Sequence, residues 1–211
     1  MTGTHLWDFL EAMRLPDHCL ADGYEQAGPE LRGHLKKSLA VHHELLEQRL
    51  PPRIQRTEIS YGASLCSRKS VPAPWCLIVH ETAYPAAPRA LAAALPAQLA
   101  GAPVIWSIAV RGNGMPAVPP PAVLAAWELA GIENVAGVDL SAFLPQLREF
   151  AANMINADQG PGRVLILGNP AWSREISAIF SNERTALLRL EGPPPQILLT
   201  GDMAAAYHPI I

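Results

Sequence analysis

The stretch Pro74–Gly131, PWCLIVHETAYPAAPRALAAALPAQLAGAPVIWSIAVRGNGMPAVPPPAVLAAWELAG, decides the fold. Two apolar runs, Cys76–His80 and Val104–Val110, each lead into a proline-punctuated loop. Each loop opens into an Ala/Leu-rich helical pattern, at Pro88–Ala100 and Pro120–Ala130. Short apolar runs alternating with helices are the pattern of a βαβα unit. The fold class read from it is α/β, with a Rossmann-like doubly wound, mainly parallel sheet.

Downstream the pattern continues. Asn134–Val138 reads as a short strand, and Ser141 can cap a helix to Ile155 that turns Phe143, Leu144, Leu147, Phe150 and Met154 inward. Arg163–Leu167 (RVLIL) reads as a buried strand, Ala171–Phe180 as a helix, and Ala186–Leu190 and Gln196–Thr200 as two further strands. Upstream, helices are expected over His5–Leu15, from Asp17 to Gln26, and over Pro29–Leu50. The last carries Leu31, Leu35, Leu39, His42, Leu46 and Leu50 on one stripe, an amphipathic face for a core or a partner. Arg53–Tyr61 has some extended alternation, and the stretch 62–74 reads as a connector. The expected organisation is a helical arm and connector at 1–72, the α/β domain at 73–183, and C-terminal strands completing the arm layer at 184–211.

Bulk properties bound the function. Of the 211 residues, 49% are hydrophobic, ample for a buried core and against disorder. The net charge of −3 and the absence of a Lys/Arg stripe argue against a nucleic-acid partner. Apolar segments are interrupted too early to span a bilayer, and the N-terminus lacks the apolar run of a signal peptide, so a cytoplasmic location is expected. Cys19, Cys66 and Cys76 are widely spaced and odd in number, which reads as three reduced thiols, two of them buried.

No P-loop, HExxH, GxSxG or EF-hand pattern occurs, and Gly112-Asn113-Gly114 does not complete a dinucleotide fingerprint. The histidines include no pair at i, i+4 spacing for a shared metal. Two candidate positions remain. His80 ends a parallel strand, at the edge where doubly wound sheets bind ligands, and Glu81 follows it. The pair is either a ligand contact or part of a solvated loop. At Gly168-Asn169 a buried strand meets a helix start, which either lets a ligand approach free N–H groups or only caps the helix.

Several segments together resemble histidinol dehydrogenase, the NAD-dependent zinc enzyme that ends histidine biosynthesis. ALPAQLAGA (Ala94–Ala102) is similar to that family's IPAxVAGV helix end, and PAVLAAWELAGIENV (Pro121–Val135) to its NPxxLAAAxLAGVDEI segment. VLILGN (Val164–Asn169) sits where the family has a strand followed by GPGN, and EGPPPQILLTGD (Glu191–Asp202) resembles AGPSEVLVIAD. More weakly, the helix Leu35–Leu50 and the segment Cys76–Pro85 resemble the family's long N-terminal helix and its YVPGG loop. The resemblance implies an aldehyde dehydrogenase-like fold with NAD as the cofactor and Asn169 as its matching contact; Gly168, His80 and Glu81 are the other cofactor-binding candidates, from their place at the sheet's carboxyl edge.

The departures are chemical. Ile78 stands for the family's tyrosine, His80-Glu81-Thr82 for Pro-Gly-Gly, and Ala142 for the glutamine of GGAQA; Asn169 alone matches a cofactor contact. Pro195-Gln196 replaces Ser-Glu, and the sequence ends at Ile211 before the elements that carry the family's zinc ligands and general-base pair. The resemblance therefore implies a non-catalytic relative without zinc, binding a small ligand or nucleotide or acting as an accessory protein. The alternatives are an enzyme of another class using His80, Glu81 and Asn169, and a structural or assembly subunit. A homodimer through the N-terminal helices is the expected self-association, and neither a membrane nor nucleic acid is an expected partner.

Overall fold

The computed structural model describes residues 5–47, 55–62, 64–70, 72–112, 114–115, 117–154, 162–168, 170–180 and 186–189. Three helices come first, α1 (His5–Ala12), α2 (His18–Gln26) and α3 (Pro29–Glu47). A hairpin follows, β1 (Gln55–Tyr61) and β2 (Ser64–Ser70). Then β3 (Trp75–Glu81), α4 (Ala87–Ala100), β4 (Val104–Arg111), α5 (Pro121–Ala130), β5 (Val135–Asp139), α6 (Leu140–Met154), β6 (Arg163–Ile166), α7 (Ser173–Ile179) and β7 (Ala186–Arg189) alternate.

The main sheet has five strands in the order β5-β4-β3-β6-β7, every neighbouring pair parallel. Numbered within the sheet alone, that order is 3-2-1-4-5, the doubly wound arrangement in which the chain builds outward from the middle strand twice. Strand β7 is therefore part of this sheet, while the strand expected at Gln196–Thr200 lies outside the described residues. Because β3 lies in the middle, both of its faces are covered, which is why WCLIVH is apolar without alternation and fully buried.

The two faces hold separate cores. On one, Cys76, Ile78, Ile105, Val135 and Leu165 pack beneath α4 and α5, with Leu20 of α2 and Leu35 of α3 closing the layer. On the other, Leu77, Val79, Ile108, Val138, Val164 and Ile166 pack against Leu6 and Leu10 of α1, Phe143, Leu147 and Phe150 of α6, and Ile176 of α7. Successive strand residues alternate between the two cores, as the two-residue repeat of a strand demands.

The N-terminal helices thus belong to the layers of the α/β body. The Leu stripe of α3 packs there too: Leu35 is fully buried, and Leu31, Leu39 and Leu46 are partly buried against the same core. The face that suggests a docking surface for a second copy is used within the chain, although Val41 and Leu45 remain exposed on the helix.

Three local expectations are corrected. The α1 helix ends at Ala12 because Met13–Leu15 pairs with the outer strand: Leu15 N donates to Val135 O at 2.7 Å and Gly137 N to Met13 O at 3.2 Å. The expected connector contains β2, which pairs antiparallel with β1 from Gln55↔Ser70 to Tyr61↔Ser64, with Gly62 at φ +57° in the turn. Only one cysteine, Cys76, is buried; Cys66 is exposed on this hairpin and Cys19 is half-buried. Burial drives the Cys76 thiol up to about 12, Arg163 opposing only in part, so it stays protonated and inert.

α4 and α5 end alike. Gly101 (φ 76°) and Gly131 (φ 68°) take the left-handed conformation that L-residues resist, so each chain turns back on itself and its next N–H reaches into the last helical turn. A closer constraint holds α2 against α5. A Cβ on Gly23 would fall 2.4 Å from Leu124 Cβ, deep in a closed interface. Gly23→Ala is expected to push the helices apart and cost about 1–3 kcal/mol, read as a lower urea midpoint at unchanged slope. An unchanged midpoint would show that the interface has slack the packing does not reveal.

Candidate functional site

A doubly wound sheet reverses its direction of growth at its first strand. The connections after β3 and β6 leave their strands on opposite sides and open a crevice at the carboxyl ends, where ligands bind in folds of this kind. Here that place lies between the loop Thr82–Ala86 and the loop after β6, which opens with Leu167-Gly168. Of the four candidate residues, His80, Glu81 and Gly168 fall at or beside it, and Asn169 lies outside the described residues.

His80 shares the face of Cys76 and Ile78, under α4 and α5, and is fully buried. Its Nδ1 lies 2.8 Å from Glu81 O and its Nε2 3.0 Å from Ser107 Oγ. A carbonyl only accepts, so Nδ1 carries the hydrogen, and the Ser107 hydroxyl donates to Nε2. The rings of Tyr84 and Trp127 flank the imidazole, each with its centroid 5.8 Å away. Burial lowers its pKa to about 4, only partly offset by the bond to Glu81 O. The histidine is thus a neutral, fully engaged group inside the fold, with neither nitrogen turned to solvent.

Glu81 is half-buried, and its main-chain oxygen also accepts from Tyr84 N at 2.9 Å, drawing the loop back over the strand end. Thr82 is buried, with its N–H on Val110 O at 2.9 Å. Tyr84, only 5% exposed, lies across the crevice. Its ring covers Gly168, whose Cβ position is 3.6 Å from Tyr84 Cδ2. Gly168 has φ +78°, so a side chain there would strain the backbone even though the space admits a methyl group. Two buried polar atoms in this region, Thr82 Oγ1 and Trp127 Nε1, have no hydrogen-bond partner among the described residues.

The helix expected to open beside Asn169 starts later. Pro170 to Trp172 form a turn, Ser173 N donates to Pro170 O at 3.0 Å, and α7 begins at Ser173. The capping position of α7 is therefore Trp172, not Asn169. At the start of α4, the loop contains no glycine, and Pro85 and Pro88 each remove an N–H, so it lacks the donor-rich cradle that a pyrophosphate requires. Further along the same edge, Arg111 pairs with Asp139 at 3.0 Å across β4 and β5.

Four residues of this cluster escape a reading of the sequence: Ser107, Thr82, Tyr84 and Trp127. Ser107 has a signal, being the one polar residue in the apolar run Ile105–Val110. The others lack one, since threonine in a loop and aromatics near proline are ordinary. Among the described residues no group of three or more His, Cys, Asp or Glu side chains is placed to hold a metal, and no helix is long and apolar enough to cross a membrane. No protein-family model and no curated protein matches the chain.

Proposed function

We propose that the protein is a non-catalytic, histidinol dehydrogenase-like protein that binds a small ligand where the sheet reverses, beneath Tyr84. One observation carries this reading: Tyr84 lies over the left-handed Gly168 backbone, while the imidazole at that edge, His80, is withdrawn and engaged at both nitrogens. A ligand that displaces the tyrosine ring gains the idle Thr82 hydroxyl and Trp127 indole N–H, both hydrogen-bond donors. That favours a small acceptor-bearing molecule over a dinucleotide, because the loop supplies no phosphate cradle. Withdrawal of the His80 imidazole from solvent supports binding without turnover.

A thermal-shift screen with imidazole compounds and dinucleotides tests it. A ligand at one hundred times its Kd stabilises the native state by about 2.7 kcal/mol. A raised midpoint is expected with a small compound, with a larger rise in Tyr84→Ala, and no NADH should form from histidinol, NAD and zinc. Robust turnover, or silence across the screen in both proteins, would overthrow the reading. The Ser107–His80 pair favours one other reading, since a hydroxyl 3.0 Å from an imidazole is nucleophile–base geometry. Labelling by a fluorophosphonate that disappears in Ser107→Ala would decide for that enzyme instead.

A further inference from the structure

At the opposite end of the strands, where β4 and β5 begin, the surface is indented by a pocket of about 160 Å³. Its walls include Gln98, Ala102, Ile105, Gly131, Glu133 and Asn134. It lies where α4 and α5 both terminate. Each helix brings the negative end of its dipole to the same place, equivalent to about half an elementary charge apiece.

The hydrogen-bonding groups around it are unequal in kind. Gln98 Nε2 donates to Gly131 O at 2.6 Å, and Asn134 Nδ2 reaches Ile105 O at 3.4 Å. Because both partners are carbonyls, the amides must face them through nitrogen, leaving Oε1 and Oδ1 without a partner among the described residues. Four backbone N–H groups at the two helix ends are taken: Gly101 by Gln98 O, Ala102 by Ala97 O, Gly131 by Glu128 O and Ile132 by Trp127 O. Glu133 stands exposed at the rim, and no lining side chain is cationic. What the side chains leave for a visitor is acceptor, two amide oxygens and a carboxylate, set in the field of two helix C-termini.

We infer that this pocket binds a small organic cation, an alkylammonium or guanidinium group, as a second site independent of the crevice beneath Tyr84. Such a group brings several donors and one positive charge, matching acceptors and field together. A single carboxylate is too poor a donor set for a divalent metal, which takes six or more oxygens or a cluster of charged ligands.

The test is an amide-resolved NMR titration of the full chain with ethylguanidinium chloride, set against the neutral ethylurea and against potassium chloride. Saturable shifts of the Gly131 amide and of the Gln98 and Asn134 side-chain amides are expected with ethylguanidinium. They should be absent with the urea, and the affinity should fall about fivefold in Glu133→Gln, an exposed substitution that leaves the fold alone. Failure of those three resonances to saturate, equal response to the neutral analogue or to potassium, or undiminished affinity in Glu133→Gln would each overturn the proposal. Since the pocket and the crevice lie at opposite ends of the strands, neither outcome touches the other site.

Discussion

Between pH 6.5 and pH 4 the protein is expected to lose about 3 kcal/mol of stability through His80 alone. Unfolded, the imidazole titrates near its ordinary value of 6.5; folded, it resists protonation down to about 4. Over that interval the unfolded chain holds the extra proton, so acid pulls the equilibrium toward unfolding. The contribution is complete above the unfolded value and gone below the folded one. Protonation also reverses the bond to Ser107, because a charged ring offers a donor where the hydroxyl now meets an acceptor. Urea unfolding at pH 7.0 and 4.5 measures the effect. His80→Asn keeps a donor for the Glu81 carbonyl but cannot titrate. Its stability is expected to be lower at pH 7.0 and to lose about 2 kcal/mol less than the parent between those two pH values. Parallel pH profiles for the two proteins would mean that the ring is hydrated in solution.

Trp75→Ala is expected to cost about 3–5 kcal/mol, a large part of the 5–15 kcal/mol by which domains are stable. Trp75 opens β3, is 2% exposed and stands among Trp7, Phe150 and Phe180, at centroid distances of 6.4, 5.3 and 6.4 Å. Its planes meet Trp7 and Phe150 edge-on, so removal forfeits directional ring contacts as well as apolar burial. The backbone closes the remaining side: a Cβ on Gly162 would lie 2.0 Å from Trp75 Cε2. Helices α1 and α6 are anchored by other contacts, so the cavity collapses poorly. A urea midpoint showing less than about 1 kcal/mol of loss would remove Trp75 from its place as the anchor of this core.

The parallel sheet is legible in the sequence because buried strands such as Cys76–His80 and Arg163–Leu167 carry their signal in every residue. The hairpin is not: SLCSRKS has no apolar alternation, and its pairing with QRTEISY rests on backbone bonds that any residue supplies. The end of α1 is hidden because Met13-Arg14-Leu15 continues a helical pattern while the edge of β5 offers better use of the same backbone groups. For the candidate site, the carboxyl edge of the sheet can be found in advance, since strand ends follow from topology. Which way His80 turns cannot, because orientation depends on register against β4, where Ser107 waits. The α3 stripe reads as apolar, but an amphipathic face looks the same whether its partner is inside the chain or outside it.

The pairing of Met13–Leu15 with β5 carries a consequence for self-association. A parallel sheet ends in a row of unsatisfied donors and acceptors, and this one is sealed on the β5 side by a short antiparallel graft from the N-terminal segment, Arg14 bridging to Ala136. Detaching that graft would leave the α/β core nearly intact yet expose a template for strand addition. The segment that follows the first helix thus covers a sheet edge that would otherwise be open to pairing with another strand.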